Sequence, residues 1–357
     1  MERKKIVRKY SIFAILIAFW FIFRYFPTFT EWFYSEGIYP FIAKLLHLAF
    51  GWVPFSMGDV LYTLFFVSII IGSIKHFSKL WKKPLWALDK VASKVIRIAL
   101  AFFVLWGFNY FRMPLSERLG ISTTYTEAQL YKATEEAIVR ANALHQQLAL
   151  NDSTKVTLPF THDEIYRIAH EAYPLEKNGI TDFHAIKSVK SSLYSKLLTY
   201  MGYSGYLNPF TNEAQVNRKM VGYAIPVTAC HEVAHQMGYA AEEEANYLGY
   251  LAAKKIENPY FRYSAALFAL RYLLSEVAKV SPEKYDNYYA QVRKGILENY
   301  KEVRLFWQQY KNKAEPVFKS SYDVFLKANK QSAGIDSYDL VVGLIINDKL
   351  QEFVKLH

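Results

Sequence analysis

Three apolar stretches dominate the first third of the chain. They cover about residues 10–26 (YSIFAILIAFWFIFRYF), 58–74 and 95–110 (VIRIALAFFVLWGFNY). Each approaches the ~20 residues of an upright membrane span, and Arg24 and Arg97 sit where long side chains snorkel to headgroups. A basic leader (Arg3, Lys4, Lys5, Arg8, Lys9) precedes the first stretch, and RYFPTFTEWF follows it. That sequence offers no small-residue cleavage site, so the first stretch reads as an uncleaved span. Between the first two lies FYSEGIYPFIAKLLHLAFGWVPFS, apolar but broken by Gly and Pro. It reads as an interfacial or re-entrant segment.

Beyond residue 110 the pattern turns to helical periodicity with polar faces. Leu130, Ala133, Ala137, Val139 and Leu144 predict a helix over 126–148, and further helices are predicted near 162–172, 185–201, 263–279 and 282–311. Residues 202–227, rich in Gly, Pro and Asn, predict loop with at most one short strand. No internal repeat or low-complexity segment is visible. The fold class is mainly α: residues 1–110 as a membrane region of three transmembrane helices, then a mostly helical domain over 111–357.

Charge sharpens this division. Residues 1–110 hold 14 Lys/Arg against 5 Asp/Glu, and the rest of the chain holds 29 against 27. The basic excess therefore belongs to the apolar region, and no basic face remains for nucleic acid. The leader carries five Lys/Arg, the 75–97 connection seven, and the 27–58 loop only Lys44. Positive segments stay in the cytoplasm. The N-terminus is then cytoplasmic, and the 111–357 domain is extracytoplasmic, periplasmic in a two-membrane cell. Cys230 is the sole cysteine, so no intrachain disulfide forms. As the neighbour of His231 on a helix it points about 100° away, and it reads as a small core residue.

The chemistry lies in TACHEVAHQMGYAAEEEANYLGYLAAKK, residues 228–255. Here His231, Glu232 and His235 form H-E-x-x-H. Two His four apart share one helix face and one zinc ion, and Glu232 stands beside the open position as general base. The reaction this supports is attack of activated water on a carbonyl, usually an amide. Gly238, three residues after the second His, is where the helix stops. The third ligand comes from the run Glu242, Glu243, Glu244. A solvated first turn accounts for Glu243. Glu242 shares a face with Ala245 and Asn246, whereas Glu244 lies about 200° around, so Glu242 is favoured and Glu244 is its rival. The two also have the option of dividing labour, one on the metal and one orienting a His. His47, His76, His145, His162, His170, His184 and His357 have no partner at metal spacing and read as structural or solvated. Tyr263 and Tyr338 are candidates for steadying an oxyanion.

These residues are also familiar as a set. PFSMGD after a GIYPFI segment, SGYLNPFTNEAQVN, and IPVTACHEVAHQMGYAAEEEANYLGYLA resemble the bacterial membrane family called domain of unknown function 3810, over nearly the whole chain. The resemblance implies three spans and a zinc-peptidase-like site. Glu242, Ala245 and Asn246 also resemble the E-x-x-A-D signature of membrane-associated zinc peptidases related to prenyl-protein endopeptidases. In that group the Glu is the third zinc ligand, which implies Glu242. Asn246 replaces the Asp, and only residues 236–241 separate the two halves.

The expectation is therefore a membrane-anchored, zincin-like metallopeptidase that cuts a peptide or protein. It sits in the lipid bilayer, with Zn2+ on His231, His235 and Glu242 and with Glu232 as base. Two other classes compete with it. One is a catalytically silent binding or scaffold protein with a peptidase-like fold. The other is a zinc amidase acting on a non-protein envelope substrate.

Overall fold

Helices make up most of the molecule, and the longest of the first third project away from the rest. The computed structural model describes residues 2–173 and 188–348. Helix Glu2–Tyr25 bends sharply into the helical run Pro27–Phe50, whose Thr30–Ile38 portion is π-helical. Helices Met57–Lys75 and Pro84–Leu105 follow. Of these, Met57–Lys75 is long and apolar enough to cross a membrane. The pair Tyr10–Tyr25 and Pro27–Phe50, bent by 103°, passes the same test together, which makes one or two candidate spans among the described residues.

The expected third span differs in its course. Its helix begins at Pro84, carries Asp89, Lys90, Lys94 and Arg97, and ends at Leu105. Only the turns after Arg97 are free of charge, so the turns before it lie at a bilayer only with their long side chains snorkelling to the headgroups. Residues Gly107–Phe111 instead form a buried 3-10 turn. Its aromatic rings pack on the first helix, with Phe108 and Phe23 ring centres 4.3 Å apart. Packing is thus continuous across residue 110.

In the globular part the centre is helix Ala224–Gln236, which packs against helices His162–Glu171, Glu242–Lys255 and Pro259–Val280. The predicted helix over 126–148 is Glu127–Leu148, started by a capping box between Thr126 and Gln129 that satisfies two orphan backbone donors. The stretch 282–311 divides into Pro282–Gln291 and Lys294–Tyr310. Val292 is extended between them and packs into the core. The described part of 185–201 holds a strand, β1 (Val189–Ser191), and then helix Ser195–Met201.

The region predicted as loop contributes two strands, β2 (Gly205–Asn208) and β3 (Glu213–Val216). The sheet order is β1-β3-β2, with β3 parallel to β1 and antiparallel to β2. Val189 pairs with Ala214, and Gly205 with Val216. These strands escape the alternation rule because β3 is buried on both faces while carrying Glu213 and Gln215.

Buried charges fasten the N-terminal region to this domain. Glu213 of β3 accepts from the backbone N–H of Gly58 at 2.6 Å and from Lys190 Nζ at 2.5 Å. It thereby caps the positive end of helix Met57–Lys75. Asp59, one residue further, accepts from Leu193 N–H at 2.7 Å and from the Ser192 hydroxyl at 2.9 Å. Arg112 grips Glu31 through two bonds of 2.9 and 2.6 Å and donates to the Gly238 carbonyl at 2.9 Å.

Removing one partner of a buried pair strands the other. Arg112→Met is therefore expected to destabilise the protein by ~3 kcal/mol, since Glu31 keeps only Arg118 at 2.6 Å. Glu36→Gln, which breaks an exposed pair with Arg118, is expected to cost less than ~1 kcal/mol. Thermal unfolding in detergent compares the two, and equal shifts would refute the clamp.

Candidate metal centre

The His-Glu-His motif lies on helix Ala224–Gln236, which is lined by small buried residues, Ala229, Cys230 and Ala234. Cys230 is fully buried in the core, and burial pushes its thiol far up. The helix ends as its sequence demands. Gly238 has φ +84°, its N–H donates to the His235 carbonyl, and Tyr239 N–H donates to Ala234. That double bond is a Schellman stop, which a residue with a Cβ adopts only with strain. The turn also delivers the Tyr239 carbonyl to His235 Nδ1 at 2.7 Å. With Nδ1–H committed as donor, Nε2 is left as the lone-pair nitrogen facing inward.

Helix Glu242–Lys255 returns alongside, and Gly249 is where it touches. A Cβ there would come within 2.8 Å of His231 N and 2.9 Å of its Cα. This approach sets Glu242, in the first turn, opposite the two rings. Glu242 Oε2 lies 3.4 Å from His231 Nε2 and 3.6 Å from His235 Nε2. Its other oxygen accepts from the Tyr322 hydroxyl. Asn246, one turn on, reaches the His231 ring.

The three carboxylates of the run part company. Burial alone raises Glu242, but His235 and His231 outweigh it and hold the group well below the usual carboxylate range. Glu244 is buried and accepts from Leu115 N–H at 2.6 Å, so it is turned away from the rings to fix the start of a short helix. Glu243 is not the solvated group expected. Its Oε2 is buried without a hydrogen-bond partner among the described residues, and burial pushes it up to about 8.

Ligand atoms of His231, Glu232 and His235 also lie within 4.8 Å of one another. Two carboxylates thus lie beside the two rings. Zinc bonds of ~2.0–2.1 Å put neighbouring ligand atoms about 3.3 Å apart on a tetrahedron. The Glu242 separations are close to that edge, and among the described residues Oε2 faces no polar partner except the two rings. Glu232 stands beside this trio on the same helix. Its Oε2 is likewise buried and unpartnered, and burial pushes it up to about 8. Gly205 of β2 lies against it, for a Cβ there would meet Glu232 Oε1 at 2.4 Å.

Two cavities open onto the cluster. One, of about 520 Å3, is lined by His231, Glu232, Asn246, Tyr203 and Arg304. The other, of about 930 Å3, reaches His231, Glu232, His235 and Glu242. Tyr322 lines both. Sequence reasoning missed it, for nothing among 28 tyrosines singles out one 80 residues from Glu242. Tyr263 is removed from consideration, since its hydroxyl donates to Asn299 at 2.8 Å inside the core. The side chain of Tyr338 lies outside the described residues, as do His184 and His357. His47 and His145 are held at 2.9 Å by the carbonyls of Asn212 and Thr154.

A mainly helical chain with one or two candidate spans and a buried His-Glu-His-Glu cluster is the class so defined. The chain belongs to the family described as protein of unknown function DUF3810, which matches residues 34–346. No curated protein and no solved structure matches it.

The helix contact at Gly249 makes a direct prediction. Gly249→Ala is expected to force the helices apart and cost ~1–3 kcal/mol. Gly72→Ala, whose Cβ meets nothing within 4 Å, is expected to leave stability unchanged or slightly raised. Unfolding midpoints of the two variants decide, and a neutral Gly249→Ala would remove the contact from the account.

Proposed function

We propose that the chain is a membrane-anchored, zincin-like zinc hydrolase that cuts peptide bonds. The observation that carries this is the convergence of Glu242 Oε2 on both imidazole Nε2 atoms, with an unpartnered Glu232 alongside. His231, His235 and Glu242 are the three protein ligands. When bound, zinc polarises the scissile carbonyl and acidifies water at its open position. Glu232 accepts a proton as the water oxygen bonds to the carbonyl carbon. It hands that proton to the amide nitrogen as the C–N bond breaks, so an acid and an amine leave. Tyr322 keeps the Glu242 carboxylate turned toward the rings. His235 is held in its tautomer by Tyr239.

Burial of Glu232 favours this reading over a silent scaffold. A buried carboxylate without a donor costs stability, and a scaffold has no use for it. The same activated water suits an envelope amide outside proteins, and substrate assays separate that case.

Topology is proposed as three spans with the N-terminus inside. Supporting this, the first and third long helices turn their C-terminal ends toward the globular domain and the second, running the opposite way, its N-terminal end. Those ends are Phe23 on Phe108, Gly58 on Glu213, and Phe102 on Phe325. The basic residues of the leader and of 75–97 occupy the other ends, as cytoplasmic segments do.

One zinc per chain is expected by elemental analysis. His231→Ala and His235→Ala are expected to lose it, while Glu232→Gln keeps zinc and loses turnover. Tyr322→Phe is expected to weaken zinc ~10–100-fold, and Glu242→Gln more than that. Glu243→Gln and Glu244→Gln are expected to retain it. Chelator competition ranks the set, and retention of zinc by Glu242→Gln would reject the ligand assignment.

Orientation has its own test. In a Cys230→Ala background, a cysteine placed at exposed Leu150 is expected to react with an impermeant thiol reagent in spheroplasts. Reaction only after lysis would reverse the topology.

A further inference from the structure

The two cavities that meet at Glu232 differ in kind. The 520 Å3 cavity opens past Arg271, Arg304 and Lys319, all exposed. The 930 Å3 cavity has no ionisable group besides tyrosines and the four site residues at its head. Its wall includes Phe66 of helix Met57–Lys75, Ile98 and Phe102 of helix Pro84–Leu105, and Leu197, Phe210 and Phe318 of the globular domain. Phe66, Ile98 and Leu197 are exposed. The apolar space therefore runs from the metal cluster to the faces of two helices read here as membrane-spanning.

Water is a poor occupant of such a wall, because each buried molecule needs two to four polar partners. A helical segment is a poor one too. One helical turn, ~10–12 Å across and 5.4 Å long, fills about 500 Å3, so the cavity admits no more than about two turns. A single hydrocarbon chain has the right girth and chemistry.

We propose that the substrate is a peptide carrying one long acyl chain close to the scissile amide. The chain enters from the bilayer between helices Met57–Lys75 and Pro84–Leu105, and the peptide leaves through the polar cavity past Arg304. This rests on the hydrolase reading above and adds no reactant to it, since water remains the only co-substrate.

The test uses the full chain, zinc-loaded in nanodiscs. A mixed peptide library is offered as palmitoylated and acetylated copies in one reaction, and the products are counted by mass spectrometry. Palmitoylated copies are expected to be cut at least ~10-fold faster, a discrimination that a hydrophobic pocket reaches with one methylene. Leu197→Trp and Ile98→Trp, which plug the wall away from the metal, are expected to erase that advantage while cutting acetylated copies as before. Independently of turnover, the Glu232→Gln protein is treated with a palmitoyl peptide bearing a diazirine on its chain. Labelling is expected at Phe66, Ile98 and Leu197, and excess palmitoylated peptide is expected to suppress it.

Equal cutting of both copies would leave the hydrolase standing and overturn the acyl-chain proposal. So would competition for labelling by an unacylated apolar peptide as strong as by the acylated one. A labelled cavity with neither copy cut would count against the hydrolase reading alone. No cavity labelling and no cutting would overturn both.

Discussion

Backbone contact between two short helices decides where every group of the site stands. Helix Glu242–Lys255 lies against Ala224–Gln236 with Gly249 on His231 N and Cα, and the flanking residues Ala229, Ala234, Ala245, Ala252 and Ala253 are all fully buried or nearly so. Small side chains allow this approach, and the approach lets a first-turn carboxylate span the gap to two imidazoles. A larger residue at 249 moves Glu242 outward and opens the tetrahedral edge. The cost of the arrangement is electrostatic. Glu232, Glu242 and Glu244 are all buried, and buried carboxylates are tolerated only with compensation. Glu244 finds a backbone N–H and Glu242 finds two rings and a hydroxyl.

The C-terminal end of the motif helix depends on the N-terminal region. Its last-turn carbonyls lack partners within the helix, and the following turn adds Gly238. Trp106 Nε1–H donates to His235 O at 3.1 Å, the Tyr39 hydroxyl to Gln236 O at 2.6 Å, and Arg112 to Gly238 O. All three donors precede residue 113, in segments that the sequence assigns to the membrane region or its edge. The segment from Phe33 to Ser56, expected to be interfacial or re-entrant, thus supports the motif helix through Tyr39. Its buried His47 holds the Asn212 carbonyl, to which Gln236 also donates at 2.8 Å.

What the sequence made legible was local and periodic. The four-residue spacing of His231 and His235, the stop at Gly238, and the helix over 126–148 each follow from short-range rules, and each has its counterpart in the structure. Helical phase separates Glu242 from Glu244, and the structure sets Glu242 toward the two rings and Glu244 toward Leu115. Tyr322 was not, because its role comes from a tertiary contact across 80 residues. β1 and β3 were hidden for another reason: Lys190, Glu213 and Gln215 are polar residues buried in the sheet, Lys190 paired with Glu213, so no apolar alternation marks them. The end of the third stretch was misplaced because Trp106–Phe111 is as apolar as a span while serving as buried core.

Docking of the globular domain on helix Met57–Lys75 is rigid. Asp59 is bonded to Ser192 and Leu193, and Glu213 caps the same helix turn, so the globular domain cannot swing on helix Met57–Lys75 without stranding buried charge. Phe66 lies seven residues beyond Asp59, about 10 Å along the axis. The metal cluster is therefore held at a fixed height above whatever surrounds Phe66. On the proposed reading, a scissile amide reaches Glu232 only if the group anchoring it to the bilayer sits within a comparable distance. Selection then comes from depth as much as from side-chain contacts, which accords with an apolar cavity that joins Phe66 to Glu232.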